Sequence, residues 1–497
     1  MGSSGHNFLA IDLGASNGRV ILGRLQEGRL GLETVQRFEH FPRMYQGRLC
    51  WDWPFIRASV REGLARAAEQ TSGEGIVSVS CDSWAQDFGL LDAEGRLILP
   101  PVSYRDTRTE GMPHSFADVI TPDELVRRTG SVVSPLTTLC QLRAMALREP
   151  DVLSSAATLL HIANLMAHDL CGSKATDRTM STASQLRNLQ SGRWDRELLN
   201  ALSIPDHFLP DVAETPTVIG EIPADRAPHP DLANIPVVST AGHDTAAAAE
   251  LVPSVEEGVA VLSCGTWSMV GCASDCLLMP TFPERDGLFV IGLAHGRWAL
   301  FRAIMGLWLI QECRRAWAAE GAAMSFEQLA AAAESCASHP QALIDPDDAR
   351  FVALANMPHE ISQFCAETGQ SVPASPGQIA RTILVSLALD YRMALETLER
   401  AANARFGALR VVGGGSANEY ACRLTADITG LPVIAGPVEA TAVGNILLQA
   451  STMHLLDSTD VVPVADASFP LRHYDPAGRP DEELYRRFQR LKRRGSP

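Results

Sequence analysis

The sequence predicts an α/β protein built from two similar lobes, and three observations carry that reading. The stretch Leu9-Ala10-Ile11-Asp12-Leu13-Gly14-Ala15-Ser16-Asn17-Gly18-Arg19-Val20 reads as an apolar strand, a turn of small residues and a second strand. Half a chain later, Val259-Ala260-Val261-Leu262-Ser263-Cys264-Gly265-Thr266-Trp267-Ser268-Met269-Val270 repeats the plan, with Ser263 where the first copy has Asp12. A chain of 497 residues is also too long for one core, so two or three domains are expected, with a second half opening at about 255.

In the first hairpin, Asn17-Gly18 is expected to supply the positive φ of the turn. Such a turn leaves backbone N–H groups converging on one side, a nest for anions such as phosphate. Asp12 at its mouth would repel phosphate unless a cation such as Mg²⁺ stood between them. An ordinary hairpin with a solvent-facing Asp is the competing reading. Leu30 to Val35 alternates as a third strand, and Pro54 to Glu69 reads as a helix, with Ile56, Val60, Leu64 and Ala68 at four-residue steps. The strand Ile76 to Cys81 ends in Asp82-Ser83-Trp84-Ala85-Gln86-Asp87. Polar and aromatic residues at such a strand end mark where open α/β sheets build binding sites, although Trp84 can equally be there to pack.

Asp92 to Gly95 reads as a turn, and 115–230 is helix-rich with few strong signals. Ile235 to Thr240 is a strand, and His243-Asp244-Thr245 opens a helix of small residues. Asp244 is there either as a cap or as a carboxylate aimed at a ligand and kept ionised by the helix end. In the second half, Phe301 to Trp317 reads as a helix with Gln311 at its polar border. Ser375-Pro376-Gly377-Gln378 has the form of a capping box and opens a helix to about Ala401. Leu409 to Val412 then runs into Gly413-Gly414-Gly415-Ser416-Ala417-Asn418 and a helix to Gly430. Strand, triple glycine, helix lets backbone approach a flat base or a phosphate, unless the turn is simply close-packed. It is neither the dinucleotide fingerprint nor a Walker loop. Val433 to Ala435 is a strand, a helix of small residues begins at Glu439, and Glu483 to Arg494 is a surface helix whose charges read as solvated.

The composition, 46% hydrophobic and 20% charged, is that of a globular protein. Forty-two basic against 58 acidic residues give a net charge of -16, which argues against nucleic-acid or anionic-membrane partners. The cysteines are scattered, and the nearest pair, Cys272 and Cys276, has no second pair at zinc-site spacing. Neither a leader pattern nor a stretch of membrane-span length stands out, so a cytoplasmic location is expected.

Taken together, Asp12 to Arg19, His243-Asp244-Thr245, Cys264-Gly265-Thr266-Trp267 and Gly413 to Asn418 resemble the FGGY carbohydrate kinases. Tyr104 to Arg108, Ile304 to Leu309, Asp345 to Phe351 and Ala435 to Ala440 extend the resemblance in the family's order. It implies two actin-like, ribonuclease-H-like ATPase lobes, 7–250 and 251–497, with a cleft between them, closing over sugar and ATP. It also implies transfer of the γ-phosphoryl group to a ketose hydroxyl, nearest to the branch acting on O1 of L-rhamnulose. By position, Asp244 would be the base. Ala15, Ser16, Asn17, Gly18 and Arg19 would hold the γ-phosphate end, Thr266 the phosphates from the other lobe, and Gln311 and Gly414 the nucleoside. His243 and Thr245 would contact sugar, and Asp12 would be associated with Mg²⁺. The implied partners are ATP and a ketose, and a homo-oligomer is compatible with the reading.

Three positions depart from the family branch. Ala85 stands where a Gly is expected in the sugar loop, Ala303 where a sugar-binding Asn is expected, and Ala163-Asn164 where Pro-Asp is expected. They point to a ketose differing from L-rhamnulose at one hydroxyl, since an amide lost from a buried hydroxyl costs ~1–3 kcal/mol. The competing readings are a kinase for L-fuculose, xylulose or another ketose or polyol, and a non-catalytic actin-like ATP-binding protein. Retention of both Asp12 and Asp244 argues against the latter.

Overall fold

The computed structural model describes residues 5–71, 75–280, 287–336, 341–351 and 356–494. The chain folds into two compact units that interleave along the sequence. The first takes Met1–Leu251, Ser274–Leu300 and Ala440–Phe469; the second takes Val252–Ala273, Phe301–Glu439 and Pro470–Pro497.

In the first unit, β1 (His6–Leu13), β2 (Asn17–Gln26), β3 (Arg29–Glu39), β4 (Ile76–Ser83), β5 (Thr217–Glu221) and β6 (Pro236–Ser239) form one sheet in the order β5-β6-β4-β1-β2-β3. β1 pairs antiparallel with β2 and parallel with β4, and β4 pairs parallel with β6. Asn7 to Leu13 are buried without interruption, as a central strand covered on both faces requires. Helix α1 (Trp53–Gln70) starts where the Asp52 side chain accepts from the Phe55 N–H, and it buries Ile56, Val60, Leu64 and Ala68.

The hairpin between β1 and β2 is present, but its turn is made differently from the expectation. Neither Asn17 nor Gly18 has a positive φ. Both already belong to β2, and the turn closes through Gly14 N–H to Asn17 O at 2.9 Å. Gly18 is small for packing: a Cβ there would lie 2.3 Å from Cζ of Phe38.

In the second unit, β7 (Val259–Cys264), β8 (Trp267–Ser274), β9 (Trp298–Met305), β10 (Ala408–Val412), β11 (Val433–Ala435) and β12 (Arg472–Tyr474) run in the order β9-β8-β7-β10-β11-β12. β7 pairs antiparallel with β8 and parallel with β10, which is the plan of the first sheet. In the first hairpin Leu13 faces Gly18 and Asp12 faces Arg19; in the second Cys264 faces Ser268 and Ser263 faces Met269. Ser263 therefore occupies the place of Asp12, and the sequence repeat is a repeat of topology.

Three expectations fail here. Phe301 to Met305 is strand, and the helix α2 begins only at Trp308 and runs to Ala319. Most of β9 is buried on both faces, so it lacks the alternation that separates a strand from a helix. The C-terminal helix α3 (Glu482–Arg494) is not wholly a solvated charge run either. Its Lys492 Nζ reaches Asp345, Asp347 and Asp390 at 2.7, 2.9 and 2.8 Å, because the fully buried Asp390 needs a cation. The Ser375 box is also displaced: Ser375 Oγ accepts from Gln378 N–H, while Gln378 Oε1 accepts from Ala374 instead of Ser375.

Candidate active site

In the first unit three strand ends bring their polar residues together. Asp12 and Asp82 are register partners on the parallel strands β1 and β4. The next residue, Ser83, pairs with His243, and its N–H donates to Gly242 O at 2.8 Å, which ties the segment after β6 to the same edge. Strand carboxyl ends in a parallel sheet are where ligands bind in open α/β folds.

Arg19, opposite Asp12 in the hairpin, donates from Nη2 to Asp12 Oδ2 at 2.5 Å. Asp82 is fully buried; its Oδ2 accepts from Asn445 Nδ2 at 2.6 Å, while Oδ1 is buried with no hydrogen-bond partner among the described residues. Burial, and then the neighbouring Asp12 charge, hold the Asp82 carboxyl well above the usual range.

Asp244 is the first residue of a six-residue helix, Asp244–Ala249, and His243 is the cap. Its Oδ1 accepts from the Thr245 N–H at 2.5 Å and from Thr245 Oγ1 at 3.1 Å. The expected ionising effect of the helix end does not win. Burial pushes Asp244 up to about 6, against the Thr245 bonds and the Arg19 charge. Its side chain still keeps 29% of its surface open. His243 lies with Nε2 at 3.5 Å from Asp244 Oδ1, and burial lowers it to about 4, so the imidazole is neutral near pH 7.

A buried relay stands behind His243. Its N–H donates to Thr179 Oγ1 at 3.0 Å, and Thr179 donates from Oγ1 to Asp177 Oδ1 at 2.5 Å. Asn164 Nδ2 donates to Asp177 Oδ2 at 3.0 Å, and Asn164 Oδ1 accepts from Thr176 Oγ1 at 2.9 Å. Asn164 is thus a support for Asp177 and, through it, for His243. The Thr245 hydroxyl is directed at Asp244. Ala85 is half-buried between Trp84 and Gln86. Trp84 does pack: its ring lies 4.4 Å from that of Trp51, and both indole N–H groups donate to Asp87 Oδ2, at 3.0 and 2.6 Å.

In the second unit the Thr266 turn closes through Gly265 N–H to Trp267 O at 3.0 Å. Thr266 O accepts from Gly306 and Trp308 N–H, and Gly265 O from Leu307 N–H, so the start of α2 is stitched to this turn. That stitching brings Gln311, one helical turn further on, to the same region. The glycine-rich turn separates its three glycines. Gly413 has φ 80° and lies on the Cys264 carbonyl, and a Cβ on Gly415 would lie 2.2 Å from Cys264 Sγ. A Cβ on Gly414 would meet nothing within 4 Å, so Gly414 alone is small without a packing reason.

The structure therefore gathers Asp12, Arg19, His243, Asp244 and Thr245 at one edge of the first unit, and Thr266 with Gly414 about Cys264 in the second. Ala303 is half-buried on β9 and belongs to the second unit. Asn445, Asp177 and Thr179 have no place in the sequence reading, and Asp82 stands there only as one of the polar residues at a candidate binding strand end. Asp82 carried a readable signal, since Ser80-Cys81-Asp82 ends its strand as Ala10-Ile11-Asp12 does.

Residues 7–250 match the N-terminal domain of the FGGY family of carbohydrate kinases, and residues 260–453 match its C-terminal domain. The chain belongs to this family. Similar proteins include rhamnulokinase of Bacteroides thetaiotaomicron, 36% identical over 473 residues, 95% of this chain and 96% of that protein. Rhamnulokinase of Yersinia pestis is 36% identical over 474 residues, 94% of this chain and 95% of that protein. The crystal structure of Plasmodium falciparum glycerol kinase with ADP shares the fold, with a TM-score of 0.78 at 15% identity, covering 99% of this chain and 98% of that one. The FGGY chain described here is a carbohydrate kinase with the actin-like, ribonuclease-H-like two-lobe fold. Among the described residues, no helix is long and apolar enough to cross a membrane.

Proposed function

We propose that this kinase transfers the γ-phosphoryl group of Mg²⁺·ATP to a ketose hydroxyl, O1 of L-rhamnulose or of a ketose differing from it at one hydroxyl. The observation that carries the reading is Asp244: a carboxylate at a strand-end edge, partly open, raised to about 6 and oriented by Thr245. Such a group is ionised at neutral pH yet basic enough to take a hydroxyl proton. The similarity to rhamnulokinases over nearly the whole chain supports the sugar class.

Residues 7–250 would carry the sugar site, the first phosphate turn and the base, and 251–497 the nucleotide site. Asp244 Oδ receives the proton of the attacking hydroxyl. His243, neutral and with its backbone fixed by Thr179, contacts the sugar together with Thr245, and Ala85 and Ala303 are the positions that would set which ketose is taken. Ala15, Ser16, Asn17 and Gly18 present turn backbone to the γ-phosphate, and Arg19 brings a guanidinium beside it. Thr266 meets the phosphates, and Gln311 and Gly414 the nucleoside, where the open surface at Gly414 admits a flat group. The first unit also fits a divalent cation: Asp12 is a hard oxygen donor at the strand end, and the buried Asp82 Oδ1 beside it has no hydrogen-bond partner among the described residues. Asp12 would hold Mg²⁺, whose charge neutralises the phosphate oxygens during transfer.

The reading is tested by ADP release with Mg²⁺ and ATP across L-rhamnulose, L-fuculose, D- and L-xylulose, L-ribulose and glycerol. Sugar-dependent release led by L-rhamnulose or a close ketose supports it. No release with any sugar, from protein that binds ATP, favours a non-catalytic ATP-binding role.

A further inference from the structure

We propose that Asp82 is a second carboxylate of the divalent-cation site, entering the coordination sphere of the nucleotide-bound cation beside Asp12, directly or through one water. The inference rests on the kinase reading above. The register of β1 and β4 sets Asp82 level with Asp12 and on the same face of the sheet. Its orientation is fixed from behind by a buried amide ladder on helix α4 (Ala440–Thr452). Asn445 Nδ2 donates to Asp82 Oδ2 at 2.6 Å, and Gln449 Nε2 donates to Asn445 Oδ1 at 2.8 Å and to Leu9 O at 3.0 Å. Ser78 Oγ in turn donates to Gln449 Oε1 at 2.7 Å. One oxygen of Asp82 is thus held, and the other is buried with no hydrogen-bond partner among the described residues.

A structural carboxylate just beyond the end of the same strand behaves differently. Asp87 is equally buried, and its oxygens accept from Trp51, Trp84 and Gln141 at 2.6, 3.0 and 3.2 Å. Buried polar atoms in a settled core are paired in this way. Among the described residues Asp82 has an unpaired oxygen and faces the carboxylates of Asp12 and Asp244, with the Arg19 guanidinium paired to Asp12, a cluster that a divalent cation would relieve further. Hard divalent cations take oxygen ligands and commonly bridge one or two carboxylates to phosphate oxygens. The chemical class of the ligand is therefore Mg²⁺ or Mn²⁺ carried by a nucleoside phosphate.

The test is Mn²⁺ binding to the full chain with ADP present, read from free Mn²⁺ by electron paramagnetic resonance, for the parent and for Asp82→Asn and Asp82→Ser. The amide keeps an acceptor for Asn445, so Asp82→Asn retains the fold; melting and circular dichroism check both variants. The expected result is Mn²⁺ affinity about 10–100-fold weaker in each folded variant, with metal-free ADP affinity unchanged. Parent-like Mn²⁺ affinity in either folded variant overturns the proposal, and so does a loss confined to ketose affinity. If the parent itself binds no Mn²⁺ with ADP, the kinase reading fails with it.

Discussion

Asp244 is the residue on which burial and chemistry pull in opposite directions. Its folded value of about 6 lies above the unfolded carboxylate value of about 3.9. The folded state therefore holds the proton more tightly, stability falls as pH rises between the two values, and the penalty is complete above about pH 6. Asp244→Asn is expected to be more stable than the parent at pH 8, by about 1 kcal/mol or more, and no more stable near pH 3.5. Denaturant titrations at the two pH values check the sign. The same substitution should lower kcat ~10²–10⁴-fold with nucleotide affinity kept, and near-parent turnover would remove Asp244 as the base. In the parent, kcat/KM for the ketose should fall about tenfold per pH unit below about pH 6, as Asp244 takes up its proton. At this scale the residue types of the site were legible, but their supports were not. Nothing in the sequence says that Asn164 holds Asp177, or that Thr179 holds the backbone of His243, because those contacts join separate elements, 13 and 64 residues apart, whose meeting is set by the tertiary fold.

At the scale of elements, glycines separate packing from ligand access. Gly414 is open, whereas Gly415 lies against Cys264 and Gly444 against the helix that begins at Asp244, where an added Cβ would be 2.0 Å from the Ala247 carbonyl oxygen. Gly414→Val should keep the parent melting temperature and raise the KM for ATP several-fold. Gly444→Ala should lose ~1–3 kcal/mol, because the opposing atom is backbone and cannot turn aside. Parallel melting curves and ATP titrations distinguish them. A destabilised Gly414→Val with unchanged KM would return Gly414 to a packing role. Both hairpins were readable because apolar runs flank turns of small residues. β9 was not, because a strand covered on both faces has no alternation, and its apolar run continued into a true helix.

For the whole molecule, the units interleave, and the sequence showed two lobes without showing that α4 serves the first. Gly23 is bare because Ile446 lies over it, a Cβ there falling 2.6 Å from Ile446 Cδ1. In the second unit, Lys492 closes the fold on three carboxylates, with Arg302 at 3.3 Å from Asp390 as a second cation. Lys492→Met removes one of the two cations paired with the buried Asp390 among the described residues and should cost ~3 kcal/mol or more in urea unfolding. Equal stability of the variant and the parent would show the cluster to be dispensable.

The measurement that bears most directly on the central claim is sugar-dependent ADP release by the parent and by Asp244→Asn, with Mg²⁺ and ATP across the ketose panel. The account predicts release by the parent, led by L-rhamnulose or a ketose one hydroxyl removed from it, and its loss in Asp244→Asn. Release at parent rate in the variant, or none from an ATP-binding parent with any sugar, would contradict it.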